Sequence, residues 1–247
     1  MKHTYLNWKG RFLWLAIFAI AMGFLEGIVV VYLRELYYPE GFAFPLKLMS
    51  SELVRAEWIR EIATLVMLAA VGIIAGRNGL QRLFYALFAF GIWDIFYYVA
   101  LNLLLGWPVS LLTWDLLFLI PFSWLGPVLA PVINSLTMIL MALLFIGRQE
   151  KGFYIRLGVS DWILVISGAF VILYTYLADY SRLLLDSGVL SAKGDPAAGK
   201  RFMEMITGYI PEGYRWPLFI AGEALILAAT INVMIRSHKY SRDETTN

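Results

Sequence analysis

The sequence predicts an all-α, polytopic integral membrane protein built as a bundle of six transmembrane helices. Three observations carry that expectation. Hydrophobic residues make up 60% of the 247-residue chain and charged residues only 15%, with a mean hydropathy of +0.70; soluble domains run at about 45–50% apolar and about 25% charged. The apolar residues gather into runs near the roughly 20 residues that a spanning helix needs. Arginines and lysines, finally, crowd the short links between some of those runs.

The runs justify the elements in order. The first span is 12–33, FLWLAIFAIAMGFLEGIVVVYL. Ala19-Ile20-Ala21 mimics a signal-peptide cleavage site, but the apolar run continues to Leu33, so an uncleaved span is expected. The second span, 56–76, is wholly apolar only from Ile62. Its helix is expected to start earlier, at Ser50 or Ser51, where SSELVRAEWIRE has N-cap and acidic first-turn character. Further spans are expected at 83–105, 126–147, 160–180 and 217–235.

Residues 106–125, GWPVSLLTWDLLFLIPFSWL, are apolar but interrupted by proline at 108 and 121, with Pro127 and Pro131 just beyond. Proline removes a helical hydrogen bond and clashes with the preceding turn. A re-entrant or interfacial segment is therefore expected; were it to span, the count would be seven. Outer loops then cover 34–55, 106–125 and 181–216, the last holding a short amphipathic helix over 197–209 that lies on the surface or caps the bundle. A single membrane domain accounts for the chain.

Orientation follows from the basic residues. Arg77 and Arg82 sit in one short link, and Arg148, Lys151 and Arg156 in another. The positive-inside rule puts both links, and with six spans both termini, on the cytoplasmic side of the cell membrane.

Several function classes drop out. The chain has no cysteine, which removes disulfides, thiolate metal sites and cysteine nucleophiles. Its two histidines, His3 and His238, lie at the chain ends, where neither can hold a haem between helices or serve a buried serine. No lysine sits within an apolar run to form a retinal-type Schiff base. No cofactor is expected and no metal site is assigned, an oxygen-only site for a hard cation being a minor alternative. A net charge of +2 without a basic cluster gives no nucleic-acid partner. Gly194 to Lys200 fits GxxxxGK, but Arg201 stands where serine or threonine is required and no strand is expected before it. The bilayer is the expected partner; a homo-oligomer or a partner membrane subunit stays open.

Candidate functional residues are the polar groups placed where water is scarce. Asp94 falls about 17 Å into its span, counting 1.5 Å per residue from Leu83, near the bilayer centre. A charge there costs about 2.5–3.5 kcal/mol on insertion scales. Tyr98 and Asn102 follow at helical spacing, on the same stripe. Glu26 lies between Gly23 and Gly27, and Glu223 follows Gly222, so neighbouring helices can approach closely at both. Glu61 shares a face with Glu57, with Arg60 beside them as the expected counter-ion. Asn134 is the polar residue of the fourth span. These groups fall in the outer halves of the spans, whereas the inner halves read LWLAIFAI, MLAAVGII and MALLFI. An outward-opening polar chamber over an apolar floor is expected. Trp93-Asp94 and Trp114-Asp115 recur 21 residues apart, but two dipeptides do not establish a repeat.

The leading functional expectation is binding or translocation of a small solute or cation with proton coupling. Two others stand beside it: a non-catalytic accessory or assembly subunit, and a membrane-embedded enzyme acting on a lipid or quinone-like molecule.

Overall fold

The computed structural model describes residues 7–191 and 196–239; His3, Gly194 and Asp195 lie outside them. Six helices are long and apolar enough to cross a membrane: α1 (Trp8–Tyr37), α2 (Ser51–Ala75), α3 (Gly79–Leu105), α4 (Leu129–Glu150), α5 (Val159–Asp186) and α7 (Trp216–Arg236). The seventh helix, α6 (Pro196–Gly208), is the short amphipathic one. Aliphatic side chains such as Leu36, Ile74 and Ile235 stand at least three-quarters exposed on the helix exteriors. So much bare hydrocarbon is at home in lipid, not in water. The chain is a multi-pass membrane protein.

Local chemistry sets the ends. Asn7, Ser50 and Asn78 each accept a hydrogen bond from the backbone N–H three residues on (2.7, 3.3 and 2.9 Å), capping α1, α2 and α3. The expected start of α2 at Ser50–Ser51 is thus met. Gly106, at φ +64°, ends α3 in the left-handed conformation that a residue without Cβ adopts cheaply.

Residues 106–125 do not form a seventh span. They lead into a hairpin of β1 (Trp114–Phe118) and β2 (Trp124–Pro127), antiparallel, with Asp115 opposite Gly126. The two Trp-Asp pairs therefore sit on a helix and on a strand, and are not copies of one unit.

Helix α3 is the hub, packing on α1, α2 and α4; α7 packs on α5 and more lightly on α4. Small residues let backbones meet along these seams, as is usual where hydrophobic segregation between helices is absent. A Cβ added to Gly168 of α5 would lie 2.6 Å from the carbonyl oxygen of Gly222 on α7. At the end where α1 begins and α7 finishes, called here the closed end, Phe12, Phe84, Tyr85 and Phe145 form a solid core. Two-residue strands β3 (Phe153–Tyr154) and β4 (His238–Lys239) pair there, Arg236 meets Asp161, and Arg148 donates to Ser237 Oγ at 3.0 Å. The hairpin and α6 lie at the opposite, open end.

Candidate functional site

Polar side chains from all six spans and the hairpin converge on one cavity of about 780 Å³ toward the open end. On the α1–α2 side, Arg60 binds Glu57 (2.8 Å) and Glu26, while Thr64 donates its hydroxyl to the second oxygen of Glu26. One turn from Glu57, Glu61 accepts the backbone N–H of Leu119 at 2.9 and 3.1 Å. A helix carboxylate thereby holds the tip of the hairpin.

A second group ties α1 and α3 to β1. Asp115 receives Arg34 at 3.3 Å and the Tyr98 hydroxyl at 3.3 Å. The Arg34 guanidinium lies 3.7 Å over the Trp107 ring and 4.5 Å from the centroid of Phe42, a flat stacking that a lysine could not reproduce. Burial pushes the Asp115 carboxyl up to about 6, and Arg34 limits the rise. Its ordinary value is 3.8, so the folded chain holds this proton more tightly than the unfolded chain does. Between about pH 4 and about 6, rising pH therefore lowers the stability contributed by this group, with no further loss above. Infrared difference spectra should show a carboxyl C=O band titrating near pH 6 that Asp115→Asn removes. A band that survives the substitution would assign the proton elsewhere.

The third group crosses from α3 to α4, α5 and α7. Ser135 donates to Asp94 at 2.7 Å, Thr137 to Glu223 at 2.8 Å, and the Asn134 amide to the Tyr176 hydroxyl at 2.6 Å.

Of the residues singled out from sequence, Asp94, Glu26, Glu223, Glu61, Arg60, Tyr98 and Asn134 all line this cavity. Asn102 is not among its lining residues. It is exposed in the last turn of α3 and donates to the carbonyl of Pro108 at 3.2 Å, so the Asp94 stripe leaves the cavity after Tyr98. Sequence reasoning missed Asp115, Ser135 and Thr137 as lining groups; a carboxylate within the apolar run WDLLFL was the available signal for the first. The apolar floor also sits lower than expected. Below Asp94 the cavity continues between Leu87 and Phe90 of α3, Met138 and Met141 of α4, and Val165 of α5.

Six carboxylates line the space (Glu26, Glu57, Glu61, Asp94, Asp115 and Glu223), against buried Arg34, partly buried Arg60 and exposed Lys47. Among the described residues no three His, Cys, Asp or Glu side chains come together as a metal-binding group; the acids are spread around the wall.

No protein-family model matches the chain, and no curated protein or solved structure matches it. The functional reading rests on the site itself. The arrangement offers acids for protons or positive charge, aromatic faces, and an apolar extension.

Proposed function

We propose that the protein binds a small positively charged solute from the outer side of the cell membrane and translocates it with proton coupling, both chain termini being cytoplasmic. The observation that carries this reading is the charge state of the lining. Arg60 and Arg34 answer Glu26, Glu57 and Asp115, and Arg60 also acts on the neighbouring Glu61, whereas among the described residues Asp94 and Glu223 meet only uncharged donors. A carboxyl so placed stays neutral or waits for a cation, because an isolated charge away from water is costly. An acid that exchanges a proton for a cation as its surroundings change is the elementary step of proton-coupled antiport.

The test uses proteoliposomes loaded with a pH-sensitive dye and exposed to tetramethylammonium under an imposed proton gradient. The wild-type chain should release protons when the ion is added, and Asp94→Asn should lose at least about 90% of that rate, on the order of 1.4 kcal/mol. Asparagine retains an oxygen for Ser135, so the fold should persist. Undiminished proton release by Asp94→Asn would overturn the reading. The apolar extension below Asp94 favours one rival, an enzyme acting on a lipid, which predicts product formation without flux.

A further inference from the structure

The cavity is far larger than a cation requires. At about 780 Å³ it falls within the roughly 300–1,000 Å³ typical of sites for organic ligands. Its two ends also differ in chemistry. Around Asp94 the wall is acidic and aromatic; toward the closed end it is hydrocarbon. Leu87, at the far end on α3, is seven residues from Asp94, about 10 Å along the helix axis.

The walls are unequal around the circumference too. Helix α2 is seated on α3, and α5 on α7, but α2 and α5 share no packed seam. Between them the lining runs from Val54 and Trp58 on α2 to Leu173 and Tyr180 on α5. No helix-to-helix seam closes the cavity on this side, and at the open end the hairpin bridges it, Glu61 holding the Leu119 N–H and Phe122 stacking on Tyr180 at 5.7 Å. Helix α6 crosses the mouth with Phe202, whose ring stands 5.6 Å from that of Tyr180.

The acidic end has a continuous aromatic wall. Ring centroids follow one another from Trp93 to Phe118 (6.4 Å), to Trp124 (5.6 Å) and to Tyr176 (6.0 Å). Faces of this kind attract an ammonium group by their quadrupoles. The carboxylates of Asp94 and Glu223, which among the described residues meet only hydroxyl donors, attract the same group. An anionic head, such as a phosphate, would meet six carboxylates and be repelled.

Resting on the reading above, we infer that the solute is a single-chain amphiphile with an ammonium head. It enters from the bilayer between α2 and α5, seating its head against Asp94 and the aromatic wall and its chain in the cleft below. No covalent step is involved; binding is by charge, ring faces and apolar contact.

The experiment uses the full chain in nanodiscs and an alkyltrimethylammonium probe carrying a diazirine in its chain, with labelled peptides mapped by mass spectrometry. Labelling is expected at Phe90, Met138 and Met141. Dodecyltrimethylammonium should compete at least tenfold more effectively than dodecyl sulfate. Ala169→Trp, which obstructs the α5 side of the cleft, should reduce labelling at least tenfold. Equal competition by the sulfate, or labelling confined to helix exteriors, would overturn the inference, because both describe partition into lipid. Tetramethylammonium separates the two levels: if it drives proton release while the long-chain probe stays out of the cleft, the transport reading stands and this one falls. Should neither engage the cavity, both fall.

Discussion

Arg60→Met should lower the melting temperature by on the order of 10 °C. Arg60 is three-quarters buried, and the carboxylates it holds, Glu26 and Glu57, are more than nine-tenths buried. Breaking a buried ion pair by deleting one partner typically costs about 3–5 kcal/mol, because the other charge is left without an answer. Two carboxylates are left here. The substitution also removes a link between α1 and α2, which both pack chiefly on α3 and meet each other through this guanidinium and the Thr64–Glu26 hydrogen bond. Methionine fills similar volume, so loss of packing is a minor part of the effect. The deficit should shrink toward low pH, where the orphaned carboxyls carry protons. Adding Glu26→Gln and Glu57→Gln to the variant should recover more than half of the loss. Thermal unfolding in detergent, followed by circular dichroism at pH 5 and pH 8, measures both. A single variant melting within about 2 °C of wild type would show that water already solvates the cluster.

The convergence of these groups was partly legible before any coordinates. Helical periodicity places Asp94 and Tyr98 on one stripe, and the glycines beside Glu26 and Glu223 marked where backbones meet. Gly23 does meet the Trp93 carbonyl, and Gly222 meets Gly168. Periodicity could not say where a stripe stops facing its neighbour, which is why Asn102 was carried along with Asp94. The hairpin was harder. A short apolar run bounded by prolines reads equally as a buried strand or as a piece of helix, and Asp115 acquires its meaning only from Arg34, 81 residues earlier. Ser135 and Thr137 are ordinary residues of a spanning helix until the rotation of α4 against α3 and α7 is known. Solitary hydroxyls carry no sequence signal for that rotation. The inner halves of the helices were read correctly as apolar, but hydrophobicity alone does not distinguish a filled core from a greasy cleft. Phe84 and Phe145 stack at 4.2 Å, whereas Leu87 and Met138, a short way along the same helices, line the cavity.

Gly91→Leu should abolish both the fold's stability and the Asp94 site, and Gly91→Ala should show why. A Cβ at position 91 would lie 2.6 Å from the backbone carbonyl oxygen of Ser135 and 2.9 Å from the Ile139 side chain. The isoleucine can turn aside; the carbonyl can yield only if α4 moves. Ser135 is also the residue whose hydroxyl holds Asp94, one turn along α3 from Gly91, so the same displacement that relieves the clash lengthens that 2.7 Å hydrogen bond. For alanine, two effects oppose each other. Replacing glycine within a helix gains about 0.5–1 kcal/mol, while forcing a methyl into a packed seam costs about 1–3 kcal/mol. Where the obstacle is backbone the cost prevails, and Gly91→Ala should melt lower than wild type. Gly147→Ala is the internal comparison. Position 147 also lies within a helix, but an added Cβ there meets nothing within 4 Å, so only the helical gain operates and the protein should melt slightly higher. Opposite signs at the two positions, with tetramethylammonium-driven proton release falling only at 91, would tie the site's geometry to helix contact. A rise in melting temperature at both would mean that α4 slides freely along α3, and that the Asp94–Ser135 contact is set by something other than the seam beneath it.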